Sequence, residues 1–474
     1  MRDETKSLSC PIRSAALAAP KTAAIVGARG ITSYEELDRM VSAAALRLGV
    51  LELGSRVALQ LPKDERYVTL VLALIRAGHV ACPVSDRLPP RGVAQLLGKA
   101  ACSALISEDE QLLQTAGADL HELKPEALLE VVQHRTEPTD IPLQRSATII
   151  FTSGSTGTPK AALHTFGNHY YNALGSNANI TLRPGDRWLH SLPLYHVGGL
   201  SILFRCLLAK ATVALPEPGD PLGEAIAGPA ATHVSLVSTQ LSRLLREDAD
   251  LSGLEAVLMG GGPVPPSLVD EALARGLPLH TSYGLTEMAS QVTTTPPGAS
   301  LEELRTAGRV LPDREVSISE SGEILVRGET LFACYVEGED LDRPLDAEGW
   351  FHTGDLGEID EDGYLRVGGR VDNLFISGGE NVQPEEIEEA LCRLGGVDEA
   401  VVVPVPDEEF RARPVAFVRA AGRKPEELAQ ELEPLLPRFK IPISFHPLPE
   451  RARRGMKIDR DSLSELARRL HRGV

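Results

Sequence analysis

The sequence predicts an α/β protein: a large N-terminal domain of doubly wound sheets carrying a small β-barrel subdomain, then a small, mobile α+β domain. Three observations point there. From Ala23 to Ser107 short apolar runs alternate with amphipathic helical patterns, as in a mostly parallel sheet covered by helices. Further along, Thr232 to Val237, Leu254 to Met259 and Leu277 to Thr281 are apolar strands that each empty into a turn rich in glycine or hydroxyl residues. Between Glu315 and Arg370 the apolar period shifts to two, and beyond Asp372 helices and strands mix over about a hundred residues, enough for a separate domain. The boundary is placed at Arg370 to Asp372, dividing the chain into 1–371 and 372–474.

Composition is consistent with this size. A chain of 474 residues with 43% hydrophobic content can fill large cores, and a net charge of −18 argues against a nucleic-acid surface, which needs a basic patch. Cysteines 10, 82, 102, 206, 334 and 392 show no Cys-x-x-Cys spacing, so neither a zinc site nor a disulfide framework is indicated. Asp3 and Glu4 precede an apolar stretch, Ala15 to Ala19, too short for a signal segment, and nothing approaches the ~18 apolar residues of a membrane span. The expectation is a cytoplasmic protein; homo-oligomerisation stays open.

Taken in order, Ser33 and Glu36 stand at capping-box spacing before the helical run Leu37 to Leu48. Arg56 to Leu61 reads as a strand, Tyr67 to Ala77 as a helix and Val80 to Val84 as a strand, while 108–145 is more polar and patternless. The strand Ala147 to Phe151 then enters Thr152-Ser153-Gly154-Ser155-Thr156-Gly157-Thr158-Pro159-Lys160. Its glycines let backbone N–H groups approach an anion, its hydroxyls donate further hydrogen bonds and Lys160 adds a point charge, so the stretch suits phosphate oxygens. It is not a Walker A loop, because Pro159 precedes Lys160 and Ala161 follows it. A flexible Gly/Ser linker would need neither the strand before it nor Pro-Lys at its end.

A helical run follows around His169 to Gly175, then a strand, Trp188 to Leu192, leading into Pro193-Leu194-Tyr195-His196-Val197-Gly198-Gly199. On residue type alone His196 is a general base, a substrate hydrogen-bonding group or a packed core histidine. The turns Ser238-Thr239-Gln240, Gly260-Gly261-Gly262-Pro263 and Ser282-Tyr283-Gly284-Leu285-Thr286-Glu287 follow three strands, and ligands of doubly wound sheets bind outside the carboxyl ends of the strands. Taken alone, Gly260 to Gly262 is equally a plain lead-in to a helix. Two hairpins are predicted around Ser321-Gly322 and Asp360 to Gly363. Last come a helix from Pro384 to Leu394, strands Ala400 to Val403 and Val415 to Arg419, a helix from Pro425 to Leu436 and a basic tail.

The nine residues from Thr152 to Lys160, with Tyr283-Gly284-Leu285-Thr286-Glu287, Thr353-Gly354-Asp355 and Gly369-Arg370-Val371-Asp372, resemble the adenylate-forming superfamily of acyl-CoA synthetases, luciferases and peptide-synthetase adenylation domains. The resemblance spans nearly the whole chain. The stretches Pro159 to Ala162, His164-Thr165, Leu192 to Leu203 and Ser282 to Gln291 look most like the o-succinylbenzoate:CoA ligases of menaquinone biosynthesis. A fatty or other aryl acyl-CoA ligase is the nearest alternative. From other classes come a peptide-synthetase-type adenylation protein, for which no carrier-like segment follows Val474, and a catalytically silent binding homologue.

The resemblance implies ATP and Mg2+ as cofactors and a carboxylic acid and coenzyme A as small-molecule partners. It implies Thr152, Ser153, Gly154, Ser155, Thr156, Gly157 and Lys160 around ATP phosphates, and Gly260, Gly261, Gly262 and Pro263 against the adenine. Ser282, Tyr283, Gly284, Leu285 and Thr286 complete the ATP site, with Asp355 accepting from the ribose and Arg370 adding hydrogen bonds. Glu287 is the expected Mg2+ carboxylate. His196, Gly199, Arg205 and Thr239 are assigned to the acyl substrate, Arg205 to the carboxylate that is retained. Asp372 is the expected hinge, and Gly378 and Gly379 belong to the thiol tunnel. Lys457, in Arg454-Gly455-Met456-Lys457-Ile458-Asp459-Arg460, matches the lysine that bridges substrate carboxylate and α-phosphate; Met456 departs from the common Gly-Lys pattern.

Overall fold

The computed structural model describes residues 6–115, 120–130, 140–152, 159–407, 409–420, 422–450, 452–454 and 457–472. Two large sheets dominate. The first runs in the order Asp340–Asp342, Cys334–Glu337, Lys160–Thr165, Ser146–Thr152, Val80–Pro83, Arg56–Gln60, Ala104–Ser107 and His121–Leu123. The second runs Arg309–Val310, Ser290–Thr294, Leu279–Leu285, Ala256–Met259, His233–Leu236, Arg187–Leu189, Thr212–Ala214, Ala23–Gly27 and Gly30–Ser33. Their central strands are parallel; the outer ones are antiparallel except His121–Leu123, which runs parallel to Ala104–Ser107. The central strands are apolar along their length because helices cover both faces.

Between the sheets lie Tyr34–Leu48, Glu65–Ala77, Phe166–Asn179 and Val197–Ala209, whose buried faces join one core with Val57, Leu59, Ile150 and Trp188. The expected capping box is present: Ser33 accepts from the Glu36 N–H while the Glu36 carboxylate accepts from the Ser33 N–H, a device contributing about 1 kcal/mol. The four period-two strands form one antiparallel sheet with Arg314–Ile318 and Leu365–Arg370 at its edges. From Phe375 onward a separate apolar core gathers Val382, Ile387, Leu391, Val402, Ala416 and Leu428.

Several local expectations change. Lys160–Thr165 is a strand antiparallel to Ser146–Thr152, so the glycine-rich stretch joins two strands and does not lead into a helix. The helix after it begins at Phe166, because Thr165 and Asn168 make their own capping box. The strand expected through Leu192 ends at Leu189, whereas the strand expected to stop at Thr281 continues to Leu285 by pairing with Ser290–Thr294. The basic tail contains the amphipathic helix Arg460–Arg472.

Buried histidines make the fold acid-sensitive. Burial lowers His164 from 6.5 to about 4 and, with the nearby Lys63 ammonium, His190 to about 3. Each takes a proton on unfolding but not when folded, so stability is complete above the unfolded value and falls as pH drops below it. The slope reaches about 1.4 kcal/mol per pH unit per histidine. Denaturant unfolding should show lower stability at pH 5 than at pH 7; equal values would show that these rings are not neutral in the fold.

Candidate active site

Parallel strands in one sheet end at one edge, and that edge gathers the predicted turns. Ser282 Oγ donates to the Met259 carbonyl at 2.7 Å and Ser238 Oγ to the Pro263 carbonyl at 2.8 Å. Residues 260–263 therefore lie between the ends of two neighbouring strands. Gly261 has φ +81°, open to glycine at little cost. Thr239 is exposed in the first turn of the helix Ser238–Arg246 beside them.

Ser153, Gly154, Ser155, Thr156 and Gly157 lie outside the described residues. The strands that flank them are described: Thr152 stands opposite Lys160. Lys160 Nζ lies 4.7 Å from the centre of the Tyr335 ring, and the Tyr335 hydroxyl donates to Glu287 Oε1 at 2.5 Å. Burial, and then the Glu287 charge, push the Tyr335 phenol pKa up, so the phenol keeps its proton and serves as donor. Glu287 sits in the short turn Thr286–Met288, directly after the strand Leu279–Leu285.

A second group surrounds Asp355. The Tyr283 hydroxyl donates to its Oδ2 at 2.6 Å, Arg370 Nη1 to its Oδ1 at 2.5 Å, and Asp372 Oδ2 lies 3.7 Å from Arg370 Nη2. Gly354 has φ +71°, and a Cβ there would stand 2.9 Å from Arg370 Nη2. Gly284 serves packing, since its Cβ would meet the Ser290 carbonyl oxygen at 2.2 Å.

His196 caps the helix Val197–Ala209, its ring edge-on to Tyr195 at 4.8 Å. A Cβ on Gly199 would lie 2.1 Å from the Pro193 carbonyl oxygen, so this glycine lets the helix start against the preceding turn. Arg205, two turns along, is 1% exposed. Its guanidinium lies 5.1 Å from the Trp188 ring and 3.4 Å from Ser290 Oγ, while Nε has no hydrogen-bond partner. No carboxylate pairs with it among the described residues. Burial draws its pKa down to about 9, leaving it charged at neutral pH. Ala289 and Ser290, at φ 55° and 134°, are held in strained backbone beside it.

Gly378 and Gly379, at φ 59° and 89°, form the turn of the hairpin Phe375–Ser377 and Glu380–Val382. Asp372 lies in the short turn Val371–Asn373. Lys457 belongs to the strand Lys457–Ile458, paired with Arg453–Arg454; its side chain lies outside the description, as do Gly455 and Met456. Tyr335 and Trp188 were not singled out as site residues from sequence, and Ser290 entered only as part of the stretch Ser282 to Gln291. Only the pairing of distant strands brings them to Glu287 and Arg205.

Two family models match the chain, an AMP-binding enzyme model over residues 12–336 and an AMP-binding enzyme C-terminal domain model over residues 386–452. The 2-succinylbenzoate–CoA ligase of Bacillus pumilus is 35% identical over 433 residues, 87% of this chain and 88% of that protein. Among solved structures, o-succinylbenzoate CoA synthetase (MenE) from Bacillus subtilis in complex with the acyl-adenylate intermediate OSB-AMP matches with a TM-score of 0.87 at 29% identity, covering 97% of this chain and 98% of the other. The same protein in complex with ATP and magnesium ion matches with a TM-score of 0.86 at 29% identity, covering 97% of this chain and all of the other.

Proposed function

This chain belongs to the AMP-binding enzyme family, and on that premise we propose that it is an AMP-forming acid–thiol ligase joining o-succinylbenzoate to coenzyme A. In the first half-reaction a carboxylate oxygen of the acid attacks the α-phosphorus of ATP and the bond to pyrophosphate breaks. In the second, the thiol sulfur of coenzyme A attacks the acyl carbon and AMP leaves. An anionic nucleophile meets an anionic phosphate in the first step, so catalysis rests on positioning and on positive charge.

The chain's residues divide that work. Residues 152–157 and Lys160 hold the departing phosphates, Asp355 and Arg370 hold the ribose, and residues 260–263 with 282–286 border the adenine. Lys457 neutralises charge at the α-phosphate, and His196, Gly199 and Thr239 border the reacting end of the acid. Among the described residues there is no cluster of three metal-ligating side chains. Glu287 offers a carboxylate there, which fits an ion bound mainly through nucleotide phosphates. Mg2+ supplies charge neutralisation at those phosphates. Residues 372–474 form a lid turning about Asp372, which brings Gly378 and Gly379 to the thiol path. Among the described residues no helix is long and apolar enough to cross a membrane, and a cytoplasmic location accords with the reading.

The observation that carries the choice of acid is Arg205, a buried cation that pairs with no carboxylate among the described residues and whose Nε has no hydrogen-bond partner there. o-Succinylbenzoate retains one carboxylate after the other is activated, and a charge-assisted hydrogen bond contributes about 1.5 to 3 kcal/mol. The test compares o-succinylbenzoate with 4-phenyl-4-oxobutanoate, which lacks the ring carboxylate. kcat/KM, followed as AMP release with coenzyme A, should favour the former by at least about tenfold. A ratio near one would overturn the choice of acid and leave the ligase class standing.

A further inference from the structure

The strand Lys160–Thr165 carries Lys160, Ala162 and His164 on one face, two residues apart. Ala162 packs with Tyr283, Met288, Phe332 and Tyr335, its small side chain letting the strand lie close to the turn at 286–288. His164 is fully buried, with Nε2 2.7 Å from the Thr286 carbonyl oxygen. A carbonyl only accepts, so Nε2 carries the proton and donates. The next strand pairs so that Tyr335 stands opposite Ala162, which brings its hydroxyl to Glu287 Oε1. The Phe332 N–H donates to the Glu287 carbonyl at 2.7 Å.

Glu287 is thus secured at three points: the carbonyl before it, its own carbonyl, and one carboxylate oxygen. A short 3₁₀ turn has little rigidity of its own, and a glutamate side chain has several free torsions. Each bond comes from a strand of the first sheet or the segment leading into one, so a rigid element fixes a carboxylate that the second sheet supplies.

We propose that His164 and Tyr335 are positioning residues for the adenylation half-reaction, fixing Glu287 so that its second carboxylate oxygen is available to the metal of the nucleotide. The proposal rests on the assignment of Glu287 to Mg2+. Tyr335 also carries Lys160 on its ring face, so the phosphate lysine and the metal carboxylate share one support.

The test titrates Mn2+ into the ATP complex and follows it by EPR, beside ATP binding in EDTA, the melting midpoint and both half-reactions. Tyr335→Phe and His164→Leu should weaken Mn2+ binding about tenfold, the lower end of what loss of an outer-shell partner costs. ATP binding in EDTA and thiolysis of supplied acyl-adenylate should stay at wild-type levels. His164→Gln, whose amide N–H can donate to the same carbonyl, should recover most of the loss. Should His164→Leu fail to fold, Tyr335→Phe decides. Wild-type Mn2+ affinity in Tyr335→Phe, with affinity lost in Glu287→Gln, overturns the positioning role alone. Unchanged affinity in Glu287→Gln overturns the metal assignment and this inference with it. Equal loss of both half-reactions together with a lowered midpoint makes the two residues merely structural and also overturns it.

Discussion

Lys457→Ala should lose adenylation by about 100-fold or more, the scale of removing one charge-stabilising donor from a transition state, while thiolysis of a supplied acyl-adenylate stays largely intact. The lysine charge is needed where the acid's carboxylate meets the α-phosphate, and that encounter is over once the adenylate exists. The strand bearing Lys457 is tied down just beyond it. Arg460 donates to Glu388 at 2.6 and 2.8 Å and to the Val402 carbonyl at 2.8 Å, which docks the start of the last helix on Pro384–Cys392 and the strand Val397–Asp407. The substitution removes charge and leaves that anchor in place. Pyrophosphate exchange reports the first step and single-turnover acyl transfer the second; equal loss of both would overturn the assignment.

Arg205→Ala should reduce the preference for o-succinylbenzoate over 4-phenyl-4-oxobutanoate by at least about tenfold, since 1.5 to 3 kcal/mol corresponds to one to two decades. His196→Ala, at the reacting end, should impair both acids alike. The contrast follows from placement, His196 at the mouth of the helix Val197–Ala209 and Arg205 two turns inside it. Arg314, the other buried arginine nearby, is committed to the backbone carbonyls of Pro312, Tyr171 and Gln291. It cannot substitute for Arg205 without breaking those bonds. Comparing ratios of kcat/KM cancels any general loss of folded protein, and an unchanged ratio in Arg205→Ala would remove that residue from the acyl pocket.

Much of this was legible along the chain. The Ser33 box is complete within four residues, and the apolar strands announced their own burial. The turns after Leu236 and Met259 fell where sheet topology puts ligands. Arg205 was legible as a charge close after a glycine turn, but nothing in its neighbourhood in sequence distinguished a buried cation from a surface one. His164 looked like one more residue of a motif. The end of the second-sheet strand was misplaced because Ser282 to Leu285 look like a turn until Ser290–Thr294 folds back to pair with them.

By itself the sequence determined the alternation of helices and strands, the caps, the glycine turns and the family motifs, because each depends on sterics and hydrogen bonds among residues a few positions apart. The tertiary structure alone decided that Tyr335 holds Glu287 across 48 residues, that Tyr283 holds Asp355 across 72, and that Arg205 meets Ser290 across 85. Those contacts depend on which strands become neighbours in a sheet and in what register. That order is selected by the summed burial of whole helix and sheet faces, a quantity no short stretch of sequence contains.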